Sequence, residues 1–169
     1  MNPNASLHDI PLPSDSQYRR AQRLLKHYRD YSWQLKIAVF QASEMTGIPF
    51  TDRTEEFIQI FRQKAAEDID GQLTSLWHQI SVLSTVLSSL EHFSSLIRRY
   101  HPNGELYYWI LNYTYFASPK PECTEEILAF LAPHCSHPLP IRSYFRKRRQ
   151  AVELMAILIS QMQDLPFAD

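Results

Sequence analysis

The chain has 169 residues, 44% of them hydrophobic and 12% aromatic, which is enough apolar material for one substantial core or two small ones and excludes disorder throughout. Only three glycines argue against Gly-rich phosphate loops or a turn-dense β fold, so an all-α protein is expected. The net charge of -1, taken whole, argues against a nucleic-acid partner. Exposed charges act over a Debye length of about 10 Å, however, so local concentrations of charge decide more than the sum.

Residues 1–13 carry Pro3, Pro11 and Pro13 without an apolar period and read as a flexible tail. Ser14-Asp15-Ser16-Gln17 matches a capping box, and Tyr18, Leu24, Leu25, Tyr28, Ile37 and Phe40 give the following helix a broad apolar face as far as Met45. Gly47-Ile48-Pro49 stops it. Asp52-Arg53-Thr54-Glu55 starts a second helix, whose Phe57, Ile58, Ile60 and Phe61 carry it toward Asp68 to Gly71; the pattern leaves open whether Gly71 breaks it.

Ile69, Leu73, Leu76, Ile80, Leu83, Leu87 and Leu90 then form a heptad seam. Trp77, Gln79, Ser84 and Val86 stand where a coiled-coil dimer would place complementary charges, which favours an internal core helix over a dimer seam. His101-Pro102-Asn103-Gly104 is the clearest turn. The aromatic and aliphatic run from Glu105 to Phe116 suits a short helix buried on most sides, ended by Ser118-Pro119-Lys120-Pro121. Thr124 is placed to cap a helix over about Glu125 to Leu131, and Pro133 to Pro140 forms the turn after it.

The most informative stretch follows that turn. On a helical period Arg142, Arg146 and Arg149 share one face, while Ile141, Phe145, Val152 and Met155 follow a separate apolar stripe. Five of the six basic residues after position 100 lie between Arg142 and Arg149, uninterrupted by an acid. A short helix, a connection and a basic helix make a helix-turn-helix, in which the second helix enters the major groove and the first braces it. Leu128 and Leu131 are expected to pack on Ile141, Tyr144 and Phe145, although Ala132 to Leu139 is longer than the usual connection. Arg19, Arg20, Arg23, Lys26 and Arg29 form a second basic group, read mainly as solvated or paired with nearby acids.

The order Tyr107-Tyr108-x-x-Leu111-x-Tyr113-Thr114-Tyr115, Thr124-Glu125-Glu126-Ile127 and Ser143-Tyr144-Phe145-Arg146-Lys147-Arg148-x-x-Ala151-Val152-Glu153-Leu154 resembles the C-terminal part of ArpU-like regulators over roughly residues 100 to 160. The resemblance implies a phage-associated transcriptional regulator of Gram-positive bacteria, with a helix-turn-helix related to the fourth region of sigma factors. It makes Arg142, Ser143, Arg146 and Arg149 the foremost candidates for base or phosphate contact, and Lys147 and Arg148 phosphate ligands or solvated charges. Tyr144 and Phe145 are expected in the core.

Other chemistry finds little support in the residues. Cys123, His134, Cys135 and His137 have zinc-binding side chains without C-x-x-C or H-x-x-x-H spacing, and His78 and His92 are too far apart on one helix to share an ion. No Walker loop, dinucleotide fingerprint, nucleophile elbow or H-E-x-x-H occurs, so neither an enzyme nor a cofactor is expected. The two cysteines read as free thiols. No run of about 20 apolar residues and no signal-peptide apolar region is evident, which makes the expected location cytoplasmic and a membrane partner unexpected.

The expected organisation is a flexible tail at 1–13, an N-terminal helical region at 14–70, a core helix with the C-terminal helix-turn-helix at 71–165, and a tail at 166–169. The expected function is transcriptional regulation of phage or prophage-linked genes by duplex DNA binding. RNA polymerase and a second copy of the chain are further candidate partners, since dimers of such proteins read half-sites about 34 to 36 Å apart. The alternative is a helical protein-interaction module, such as a polymerase adaptor or a sigma-factor inhibitor. A phage DNA-packaging subunit would also use a helix-turn-helix and would be told apart by ring assembly.

Overall fold

The computed structural model describes residues 11–50, 54–68 and 71–162, and among these the chain is all-helical, without a strand. The expected start signal Asp52-Arg53, the first seam residue Ile69, the 166–169 tail and residues 1–10 of the N-terminal tail lie outside the described residues. Seven α-helices are described: α1 (Asp15–Lys26), α2 (Tyr28–Thr46), α3 (Thr54–Ala66), α4 (Gln72–Tyr100), α5 (Gly104–Leu111), α6 (Thr124–Leu131) and α7 (Ile141–Ser160).

The capping box at Ser14 is present in full. The Ser14 side chain accepts from the Gln17 backbone N–H at 3.3 Å, and the Gln17 side chain accepts from the Ser14 N–H at 2.8 Å. Ser14→Ala is expected to cost about 1 kcal/mol of stability, read as a shift in the urea midpoint with the slope unchanged.

The single helix expected from Ser14 to Met45 is two. His27 leaves helical geometry at φ -91 and ψ 3, although neither glycine nor proline is nearby to signal it. Tertiary contacts accompany the break: the Tyr28 ring lies 4.5 Å from that of Phe116, and its hydroxyl donates to the Glu91 carboxylate. The expected common apolar face also divides, since Leu24 and Leu25 are buried while Ile37 and Phe40 face solvent.

Gly47 ends α2 in the left-handed region at φ 68, its N–H bonding to the Ser43 carbonyl at 2.8 Å, and the Lys64 ammonium donates to the Thr46 carbonyl at 3.1 Å. The next helix ends earlier than expected, at Ala66. Gly71, also left-handed at φ 73, separates it from α4, where the Asp68 carboxylate caps the Leu73 N–H at 2.6 Å.

By length and composition α4 passes as a membrane-crossing helix, but its seam residues Leu76, Ile80, Leu83, Leu87 and Leu90 are buried in the protein. Their burial matches the expected internal helix.

The chain forms two compact units, one of Met1–Tyr28 with Ser89–Asp169 and the other of Arg29–Ser88. These are not the consecutive stretches the sequence suggests, because α1 joins the C-terminal unit and α4 contributes to both. The core of the Arg29–Ser88 unit is Ala38, Val39, Ala42, Ile48, Phe57, Phe61, Ala65, Leu76 and Ile80. In the other unit α7 packs against α1 and α5.

The aromatic run is less enclosed than expected. Tyr107, Ile110, Leu111 and Tyr115 are buried, but Tyr108, Trp109, Tyr113 and Phe116 are half-buried, and the helix widens into a π-helical turn at Asn112–Phe116.

Candidate nucleic-acid interface

The basic stretch lies on the first half of α7, a 20-residue helix that begins immediately after Pro140. Proline suits a position whose N–H is not needed, and the Pro140 carbonyl accepts the first helical bond, from Tyr144 at 2.9 Å. No side chain caps the first turn.

Tyr144, Ala151, Val152, Met155, Ala156 and Ile159 form the buried face of α7. At 100° per residue, Arg146 falls nearly opposite the middle of that face while Arg142 and Arg149 lie on its flank, next to Ala156, and all three are exposed. The structure thus brings these three together on an outward face, with Ser143 half-buried beside Arg142.

Arg149 is already engaged. Its Nε donates to Glu153 at 3.0 Å, from a side chain 75% exposed to one 21% exposed, and its guanidinium stands 6.0 Å from the Tyr18 ring centre. Lys147 and Arg148 are half-buried rather than extended into solvent. Lys147 Nζ lies 5.6 Å from the Tyr107 ring centre, and the Arg148 guanidinium lies 5.7 and 5.0 Å from those of Tyr144 and Phe145. Arg148 occupies a helical position in line with the buried seam, so its stem follows the apolar surface.

Two sequence expectations are corrected here. Ile141 and Phe145 are not core residues bracing the helix but 47% and 42% exposed. At 100° per residue they share the direction of the buried Val152, Ala156 and Ile159, so it is their place in the first turns of α7, and not their direction, that leaves them exposed. Phe145 lies beside Arg148 there.

The brace itself is built on Tyr144. Ile110, Leu131 and Tyr144 form a buried cluster with Leu106, Trp109, Ile127, Leu128 and Leu139 around it. The Tyr144 hydroxyl shares a 3.0 Å hydrogen bond with Thr114 Oγ1, and Tyr107 donates to Gln150 Oε1 at 3.0 Å. Tyr144→Phe is expected to lower stability by about 1 kcal/mol while leaving the basic face in place, measurable as reduced thermal stability with unchanged far-UV circular dichroism.

The connection between α6 and α7 carries a 3₁₀ turn at Ala132–His134, followed by an irregular segment. His134 stacks on Trp109 with ring centres 3.9 Å apart, and its Nε2 is 3.2 Å from the Tyr113 hydroxyl. That stack secures a connection longer than a tight turn. Behind it, Glu105 accepts from Arg98 Nε at 2.7 Å and Nη2 at 2.9 Å and from Trp109 Nε1 at 2.7 Å. The Arg98 and Trp109 hydrogen bonds hold the Glu105 carboxyl below its usual range.

At the start of α6 the cap is Cys123, not Thr124, and its side chain makes no capping bond; the Glu126 carboxylate instead accepts from the Glu122 N–H at 2.7 Å. Cys123 and Cys135 are free thiols, and burial pushes the Cys135 thiol up. No group of three or more metal-ligating side chains gathers among the described residues.

The chain shows no match to protein-family models, curated proteins or solved structures. The geometry therefore has to carry the functional reading. Packing of α1 on α7 places Arg19, Arg23 and Lys26, all exposed, in the same unit as the basic helix. Sequence separation conceals that grouping, because more than a hundred residues intervene. Over its whole sequence this unit has twelve Lys and Arg against ten Asp and Glu, whereas the Arg29–Ser88 unit has five against eight. The slightly acidic total thus divides into one basic and one acidic part.

Proposed function

We propose that the protein is a DNA-binding transcriptional regulator that uses the outward face of α7. The observation supporting this most directly is that Arg142 and Arg146 are exposed outside the buried face of a helix with no acid from Ile141 to Gln150. Such a face meets phosphates by charge and guanine edges by bidentate hydrogen bonds. Ser143 and the uncapped first turn add donors at the positive end of the helix.

In this reading Arg142, Ser143 and Arg146 make the principal contacts. Arg149 joins them when its bond to Glu153 yields to phosphate, while Lys147 and Arg148 supply field from beside their aromatic rings. α6 braces α7 through Leu131 and Tyr144, as in a helix-turn-helix. The ArpU-like, sigma-related resemblance suggests phage or prophage-linked genes as targets and RNA polymerase as a further partner.

Exposed Ile141 and Phe145 favour a second reading, in which apolar anchors among cations meet an acidic protein surface. A polymerase adaptor or sigma-factor inhibitor would bind in that way. Fluorescence-anisotropy titration of a random-sequence duplex at two salt concentrations separates the two. Salt-sensitive binding supports the regulator; absence of binding at low salt gives the basic face to a protein partner.

A further inference from the structure

α2 carries large apolar side chains on both sides. Leu35, Ala38, Val39 and Ala42 turn into the core of the Arg29–Ser88 unit, while Trp33, Ile37 and Phe40 lie along the opposite face at 65%, 41% and 56% exposure. Met45, 53% exposed, lies off that stripe, among the side chains that line the groove at its end. Lys36 and Glu44 are exposed among them, but three large apolar side chains in one row on an outer face form a patch of the kind that marks an interaction site.

The stripe ends in a groove of about 480 Å³ between α2 and the start of α4, lined by Phe40, Gln41, Glu44, Gln72, Leu76 and Gln79 among others. Trp33 projects about 12 Å from the Gln41 level of this groove, eight residues along the same helix at 1.5 Å each. Ile37 lies midway between them.

We infer that this face binds a second copy of the chain, with α2 pairing antiparallel to its counterpart about a two-fold axis near Ile37. In that pairing Trp33 of each copy comes level with Gln41 of the other and enters its groove. One protruding aromatic and one groove on each copy satisfy both copies at once, the self-complementarity that a two-fold interface requires. The amide and carboxylate oxygens of Gln41, Glu44, Gln72 and Gln79 provide acceptors for the indole N–H, which seeks a partner when buried.

The area is also adequate. At side-chain areas of 150 to 250 Å² for aromatics, Trp33, Ile37, Phe40 and Met45 expose roughly 500 Å² per copy. Pairing would hide about 1,000 Å² over both copies before flanking polar groups are included, the size at which specific interfaces begin.

The test uses the full chain without DNA, so its outcome is independent of the regulator reading. Sedimentation equilibrium is expected to give twice the 19.9 kDa chain mass at tens of micromolar, and Trp33→Ser/Phe40→Ser is expected to return it to one chain mass with unchanged helicity. In a Cys123→Ser/Cys135→Ser background, Ile37→Cys should form an interchain disulfide on oxidation. Glu44→Cys should not, because the two cysteines would lie about 21 Å apart along the axes, beyond disulfide reach. A native chain monomeric throughout this range would overturn the inference and leave the stripe to a partner of different sequence. So would a dimer that survives the double substitution, or equal crosslinking at positions 37 and 44.

Discussion

On the proposed DNA-binding function, Arg142→Ala/Arg146→Ala/Arg149→Ala is expected to weaken duplex binding by several hundred-fold at about 0.1 M salt. Each phosphate contact contributes a slope near -0.9 to the dependence of log affinity on log salt, so losing three should flatten it by about 2.7. The contributions should be unequal. Arg142 and Arg146 are exposed, whereas Arg149 must give up its 3.0 Å bond to Glu153 before it meets a phosphate. The double variant at 142 and 146 should therefore account for most of the loss, about 60-fold under the same conditions.

The fold should survive, because all three side chains point away from the Tyr144, Val152 and Met155 face. Alanine is at least as good a helix former as arginine, and an exposed i,i+4 ion pair contributes less than about 0.5 kcal/mol. Anisotropy titrations of native and variant chains across a salt series, with circular dichroism alongside, check these numbers. A variant that binds as tightly as the native chain would remove α7 as the DNA-reading element.

Gly104→Ala is expected to be among the most damaging single substitutions in the chain. A Cβ at this position would lie 2.1 Å from the Ile97 carbonyl oxygen and 2.6 Å from that of Arg98. Both are backbone atoms at the end of α4, so no side chain can rotate out of the way. The turn closes so tightly because the Gly104 N–H bonds to His101 O at 2.8 Å and the His101 N–H to Ile97 O at 3.0 Å.

Relieving the clash must move α5 off α4 and disturb the Arg98–Glu105–Trp109 bonds, so a loss of about 3 kcal/mol or more is expected. For a chain of this size that is a fall in melting temperature of roughly 6 to 12 °C. Gly47→Ala is a useful contrast. Nothing lies within 4 Å of its added Cβ, and only the left-handed φ of 68 opposes it, which predicts a loss of about 1 to 2 kcal/mol. Calorimetry on both variants tests the distinction; equal melting temperatures would contradict the steric argument.

Much of the site's raw material was legible in the sequence. The 3.6-residue period alone puts Arg142, Arg146 and Arg149 on one face, and Pro140 marks where α7 begins. Periodicity gave the inward direction of the stripe, which Val152 and Met155 bury, but not how far along α7 the cover extends, and Ile141 and Phe145 in its first turns stay exposed. Contact with Ile110 and Leu131 made Tyr144 the anchor and left Phe145 at the edge. The stacking of Lys147 and Arg148 on rings is equally a consequence of where Tyr107 and Tyr144 stand.

The same division holds for the whole chain. Composition, capping and apolar period determined by themselves that it is helical, that Ser14 opens the first described helix, that Gly47 ends the second and that the heptad seam is interior. These are local preferences, set by backbone geometry and the spacing of apolar side chains. The helix break at His27, the membership of α1 in the C-terminal unit and the exposure of the outer face of α2 were decided only by tertiary structure. Each depends on which distant surface competes successfully for a given face, and burial energy is settled by partners that no window of sequence contains.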